Sequence, residues 1–498
     1  MYQYFNMIGA DIFMEDLKPK RLWEYFKAIC NIPHPSHKEE ALARWLLTTI
    51  QDMGLEASID ATLNVIAKKP ASPGYETRQG VILQAHIDMV PQALPEAHHD
   101  FAKDPIKPVI DETGEWVTAQ KTTLGADNGI GVAAALSVLA DNTLQHGPLE
   151  CIFTTNEEDG MSGARGLSPF GIKGKLLINL DGEDVNEITL GCAGTARITS
   201  LYNSKGTQEG LDTFSWYRVS LSGLLGGHSG VDIHRGRGNA GLLLVRLLLE
   251  AGVPAIAELE SGSAANAIPR DAQAIIGIPS NETEQWMNRF NTVLASIKQE
   301  YAETDQGLTV TFDKTSPPAY ALIPTTVQLM LATLTALPNG LIAVEPANPS
   351  WTRTSSNLGV LKIKHEAQGM FFMETYNLVR SSDEKEKNEI VEAIESALFK
   401  LGATTRKTSS APAWEPNLDT SLLRTAISVF KTLYNKEPIL SCTHGALECG
   451  LFRTLYPSWE MISIGPTIQF PHSPDERVHI ASVQQFWEYL INLLSMLP

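Results

Sequence analysis

At 498 residues the chain is longer than a single ordinary core requires, so two domains are the expectation. Hydrophobic residues at 43% and charged residues at 19% exclude a disordered chain. A net charge of −18 argues against nucleic acid or an anionic membrane as partner, since either favours a basic patch.

The opening stretch, MYQYFNMIGADIF, lacks a basic region and carries Asp11 within its apolar run, which argues against a secretory signal. No apolar stretch reaches the ~20 residues that span a bilayer. Five cysteines (Cys30, Cys151, Cys192, Cys442, Cys449) are odd in number and lack CxxC spacing. They point to reduced thiols in a cytoplasmic protein, with neither a disulfide framework nor a zinc knuckle.

SHKEEALARWLLTTIQDMG reads as a helix that opens with Ser36 and Glu39 in capping-box spacing. Leu42, Trp45, Leu46, Ile50 and Met53 lie on one face, and Gly54 ends it. Continuous apolar strands follow at 81–85, 149–155 and 176–180, with a small-residue helix at 129–140. Strands that do not alternate, separated by helices, predict a mixed, mostly parallel sheet sandwiched by helices: an α/β domain. Past residue 195 the texture changes. RITSLYN and WYRVSLSG alternate, and helices are expected within 239–252, 281–302 and 382–402. That pattern predicts an α+β domain inserted over 196–405, between two halves of the α/β domain, 1–195 and 406–498. After APAWEPN the α/β texture returns, with a helix at 420–435 and a strand at 459–465.

Chemistry-bearing residues gather where the apolar strands stop. VILQAHIDMV places His86 and Asp88 two apart, so both side chains project the same way. Alone, such a pair also describes a hydrogen-bonded core histidine. TTLGADNGIG sets Asp127 in a glycine-flanked turn before a helix, where an N-cap role would explain it. LECIFTTNEEDG ends in Glu157, Glu158 and Asp159, which by themselves describe a solvated acidic turn. LLINLDGED puts Asp181 directly after the mostly apolar strand LLINL, and His472 falls in the proline-bounded loop of GPTIQFPHSPDE. Three strands ending in His/Asp, Glu/Glu and Asp converge on one carboxyl edge of a parallel sheet, where open α/β sheets build their sites. Two histidines with several carboxylates suit a divalent ion such as zinc, manganese or cobalt. Met89, Met161 and Met461, near these motifs, read as core.

The set HIDMVPQ, TTLGADNGIG, EED with GMSGARGL, NLDGED, GGHSG, NAIPR, HGALECGLF and GPTIQFPHSPDE resembles the aminoacylhistidine dipeptidases. These are also called Xaa-His dipeptidases or peptidase D, within the dinuclear-zinc aminopeptidase/deacylase superfamily. The motifs run from about residue 20 to 490 in the family's order. The resemblance implies a metal-dependent dipeptidase acting on unblocked dipeptides, preferentially of Xaa-His type. It implies two divalent ions, zinc with cobalt or manganese as replacements. His86 and Asp181 would hold one ion, Glu158 and His472 the other, and Asp127 would bridge them, with a cis Asp127–Asn128 bond often seen in the family. Asp88 would orient His86, and Glu157 would be the general base for a metal-bridged water. The inserted lid would supply His228 towards the oxyanion and Asn266 and Arg380 towards the substrate, with His444 and Glu448 in a substrate-side loop. As bare sequence, His228 reads as a turn histidine and Arg380 as a surface arginine. Relatives are often homodimers, so a homodimer stands beside a monomer. An N-acyl deacylase or tripeptidase would use the same groups with another pocket. A non-catalytic binding protein would have lost Glu157 or a ligand, and a structural role would rest on the insert alone.

Overall fold

The computed structural model describes residues 14–168 and 171–498. The opening stretch read against a secretory signal therefore lies outside the described residues. The fold is α/β with an inserted α+β domain, and the chain divides into two compact units. One runs to Gly191 and resumes over Pro416–Ser441 and Leu451–Pro498. The other comprises Cys192–Glu415 and Cys442–Gly450, so the HGALE stretch groups with the inserted segment.

The first unit is built on an eight-stranded mixed sheet. At its centre Leu149–Thr154, Val81–His86, Leu176–Asn179 and Glu460–Ser463 lie side by side, all parallel. Every residue of the first three is buried, which is why these strands carry no polar alternation. Parallel order stops at the margins: Val65–Lys69 runs antiparallel to Leu149–Thr154, and Glu187–Cys192 meets Glu460–Ser463 antiparallel. Helix Ala126–Ala140 is apolar on all sides and almost wholly buried, as an internal helix must be. Helices Lys20–Cys30 and Ile480–Met496 pack on it, and Ser421–Tyr434 packs on Glu460–Ser463. Met89, Met161 and Met461 are core residues.

Helix Glu40–Asp52 buries Leu42, Ala43, Leu46 and Ile50, and Gly54 follows in the left-handed region at φ 78°. Its expected capping box does not form. Glu39 is the N-cap residue but makes no capping bond. Ser36 Oγ donates to Asp88 Oδ2 (2.8 Å), and Glu39 Oε1 accepts from the N–H groups of His37 (2.9 Å) and Asn156 (3.0 Å). Buried partners elsewhere in the unit outbid the local cap, because leaving them unbonded would cost more than a frayed helix end.

The second unit is a nine-stranded antiparallel sheet with helices Ala240–Ala251, Thr283–Glu300, Pro324–Thr335 and Glu384–Leu401. Leu244, Leu248, Trp286, Leu331, Ile394 and Leu398 from these helices meet Val219, Leu259, Ile276, Ile363 and Met373 of the strands in one core. Alternating burial along Gly194–Lys205 and Phe214–Ser222 matches the alternation read in the sequence. All five cysteines are free and buried. Among the described residues no helix is long and apolar enough to cross a membrane.

Candidate metal centre and substrate residues

The parallel register puts the strand ends together. His86 pairs with Thr154 and Gln84 with Asn179, so the residues just beyond each strand emerge at one edge. There Asp127 faces two ways. Its Oδ1 lies 3.1 Å from His86 Nε2, and its Oδ2 lies 3.2 Å from His472 Nε2. Asp181 Oδ1 is 3.3 Å from His86 Nε2, and Glu158 Oε1 is 3.0 Å from His472 Nε2. Five donors from five parts of the chain therefore form two groups that share one carboxylate. Ligand atoms of His86, Asp127 and Glu158 all fall within 4.8 Å of one another. The N-cap reading does not describe the Asp127 side chain: both of its oxygens face imidazoles, and with Asn128 it forms a kink (φ −83°, ψ 103°) within Ala126–Ala140. The Asp127–Asn128 peptide is cis.

Asp88 supports this arrangement from behind. Its backbone oxygen lies 3.1 Å and its Oδ1 3.4 Å from His86 Nδ1, so that nitrogen carries hydrogen and Nε2 is directed to Asp127 and Asp181. The same carboxylate accepts the N–H groups of Glu157 (2.9 Å) and Glu158 (3.2 Å), which fixes the turn bearing the glutamate doublet. Asn128 Nδ2 donates to Leu180 O (3.2 Å) and to Asp181 Oδ1. Asp159, third in the acidic run, has a side chain 77% exposed whose carboxylate pairs with the exposed His37 (2.9 Å).

Electrostatics follow from crowding carboxylates in a buried place. Bonds to Asp127 and Glu158 push His472 up to about 11. Burial resists charging His86, yet Asp181, Asp127 and Asp88 outweigh it and raise its pKa well above the usual imidazole value. Burial together with the Asp127 charge raises Glu158, and burial raises Asp181. Four buried or nearly buried carboxylates thus face two imidazoles, and the set favours positive charge wherever it can be held.

In the second unit, His228, Arg380 and His444 lie together. Gly227–His228 pairs with Ala267–Ile268, and Ser229 N donates to Asn266 O (2.8 Å), which brings exposed Asn266 beside the histidine loop. His228 Nδ1 accepts from the N–H groups of Gly230 and Val231 (both 3.2 Å), so its hydrogen sits on Nε2. Burial and the Arg380 charge lower its pKa and keep it neutral. Arg380 corrects its bland reading: it is 7% exposed, because its strand, Met370–Ser381, lies between two others. Its Nη1 donates to His444 O (3.2 Å), Nε has no partner, and among the described residues no carboxylate lies within ion-pair distance. His444 Nε2 is 2.7 Å from Ser355 Oγ, and burial with the Arg380 charge lowers its pKa to about 3. Glu448 is 1% exposed at the start of helix Glu448–Leu455.

Ser36, Glu39, Asn128, Ser355 and Glu476 were not marked by sequence reasoning as parts of these sites. Ser36 and Glu39 carried a competing local signal, Asn128 and Glu476 none beyond lying in the motifs, and Ser355 none at all.

A mixed sheet with this clustered carboxylate-imidazole edge and an inserted antiparallel domain defines a metallopeptidase architecture. The profile of peptidase family M20/M25/M40 matches residues 82–496, and the chain belongs to that family. A cytosol non-specific dipeptidase of Escherichia coli (strain K12) is 40% identical over 490 residues, covering 97% of this chain and 99% of that protein. The crystal structure of an aminoacylhistidine dipeptidase from Vibrio alginolyticus is 39% identical with a TM-score of 0.90, covering 98% of this chain and 99% of that one. An aminopeptidase of Bacillus cereus, 15% identical with a TM-score of 0.61, shares the fold over 97% of this chain and 100% of its own.

Proposed function

We propose that this chain is a metal-dependent dipeptidase that hydrolyses unblocked dipeptides, preferentially of Xaa-His type. One observation carries the reading: Asp127 offers one oxygen beside His86 and Asp181 and the other beside His472 and Glu158. That nitrogen-oxygen set fits two divalent ions, zinc foremost and cobalt or manganese as substitutes. His86 and Asp181 would hold one, Glu158 and His472 the other, and Asp127 would bridge. When bound, the pair supplies Lewis acidity to the scissile carbonyl and to the attacking water.

The protein's own groups do the rest. Glu157 takes the proton of the water and passes it to the leaving amine. Asp88 holds His86 in its tautomer and the glutamate turn in place. His228, neutral with hydrogen on Nε2, is the donor for the oxyanion. Arg380, buried and without a counter-ion among the described residues, is assigned to the peptide carboxylate, which a guanidinium can grip with two parallel bonds. Asn266, His444 and Glu448 are assigned to substrate contacts. On this reading segments 1–195 and 406–498 form the catalytic domain and 196–405 the lid. Five buried free thiols and a relative named for the cytosol support a cytosolic location. Sedimentation decides between a monomer and a homodimer.

The test is a panel of dipeptides assayed with chelated protein reloaded with zinc, cobalt or manganese. Alanyl-histidine should be cleaved only after reloading, and its N-acetylated form should resist. Cleavage indifferent to chelation would sink the mechanism. Preference for the acetylated form would make the protein a deacylase, the reading that shares every catalytic group.

A further inference from the structure

Glu476 lies four residues beyond His472 and is 2% exposed. A buried carboxylate needs partners, and no cation meets this one among the described ion pairs. It is bonded instead by four consecutive backbone N–H groups of the turn that carries Asp127. Leu124 (2.7 Å) and Gly125 (3.0 Å) donate to Oε2, and Ala126 (2.8 Å) and Asp127 (3.2 Å) donate to Oε1. These amides span the glycine turn and the kinked entry of Ala126–Ala140, where a helix's first N–H groups have no partner inside it. The backbone at Glu476 is tied as well: its N–H donates to Ser473 O (3.1 Å), and its carbonyl accepts from Thr118 Oγ1 (2.9 Å). One side chain therefore joins two segments some 350 residues apart, each bearing a donor of the candidate centre.

We propose that Glu476 is a positioning residue that locks the Asp127 turn to the His472 loop, so that the centre is assembled before any ion arrives. The inference rests on the metal-centre reading above. Neither oxygen of Glu476 is spare for an ion, since each already accepts two N–H bonds. Its effect on metal binding passes through Asp127 and His472. Removing such a supporting group typically weakens metal affinity by roughly 10–100-fold.

The experiment compares wild type, Glu476→Gln, Glu476→Asp and His472→Ala by titration with cobalt, read by the cobalt absorption spectrum and by metal content after dialysis. Glutamine keeps the shape but turns an amide N–H₂ towards two of the four donors. It should bind cobalt roughly 10–100-fold more weakly than wild type, with an altered spectrum and an unchanged far-ultraviolet signature. Glu476→Asp keeps the charge with a shorter reach and should fall between. Glu476→Gln binding cobalt within twofold of wild type, while His472→Ala does not, would overturn the inference and leave the centre standing. Wild-type affinity in His472→Ala would sink the centre and the inference together. A second measurement needs no variant. In chelated wild-type protein the amides of 124–127 should exchange hydrogen at least ~100-fold more slowly than an open chain, as locally protected amides do. Free exchange there, slowed only by added metal, would also overturn the proposal.

Discussion

Glu157 and Glu158 share a turn but not an environment. Glu158 has a side chain only 8% exposed and lies against His472, whereas Glu157 is half-buried with its N–H held by Asp88. Adjacent residues leaving a strand diverge, so one can serve an ion while the other serves a proton. Glu157→Gln preserves the size and the backbone bond but removes the basic oxygen. It should retain wild-type metal content and lose about 10²–10⁴-fold in turnover on alanyl-histidine. Metal analysis beside steady-state rates checks this, and a near wild-type rate would remove Glu157 as the base. At this scale the sequence was uneven. Residues that end apolar strands announced themselves, because an ionisable group next to five buried neighbours is anomalous on its face. Arg380 did not, because its burial depends on strands paired with its own from elsewhere in the chain. His228 gave its glycine neighbours but not its tautomer, which is set by the backbone donors of Gly230 and Val231.

Between elements, the centre depends on how closely two loops cross. NLDGED and the segment after Glu460–Ser463 meet at Gly182 and Gly465, with Gly182 N donating to Ile464 O (3.2 Å). A Cβ on Gly465 would lie 1.8 Å from Gly182 O, and one on Gly182 would lie 2.6 Å from Gly465 N. Both obstacles are backbone, so no rotamer relieves them. This crossing sits one residue from Asp181 and seven from His472. Gly465→Ala should therefore cost at least about 1–3 kcal/mol of stability, as overpacking does. The urea midpoint should fall and cobalt affinity with it, and a midpoint equal to wild type would show that the loops separate freely. Strand and helix type were largely legible here through periodicity. Helix Pro324–Thr335 was not, since PTTVQLMLATLT has no charged residue to set one face against another. The Ser36–Glu39 pair misled for the opposite reason: a correct local signal lost to partners distant in sequence.

At the scale of the whole molecule, the shift from non-alternating to alternating apolar runs separated the two textures, because a sheet covered on both faces and one with a wet face differ in composition. The return of Cys442–Gly450 to the second unit left no such trace, being too short to alter texture. All five proposed ligands (His86, Asp127, Glu158, Asp181, His472) fall in the first unit, and His228, Asn266, Arg380, His444 and Glu448 fall in the second. Metal linkage should accordingly be local. A ligand that binds only the folded state stabilises it by about 2.7 kcal/mol at 100 times its dissociation constant. Chelation withdraws that contribution from the unit whose carboxylates it leaves crowded. Amides of the central strands Val81–His86 and Leu149–Thr154 should then exchange faster, by up to about 100-fold where exchange requires the unit to open. Those of Phe214–Ser222 and Ala272–Pro279, in the core of the other unit, should hold their rates. Hydrogen-exchange mass spectrometry with and without chelator reads both sets in one experiment. Equal acceleration in both units would show that the metal stabilises the chain as a whole. No acceleration in either would mean that these five side chains hold no ion that matters to the fold.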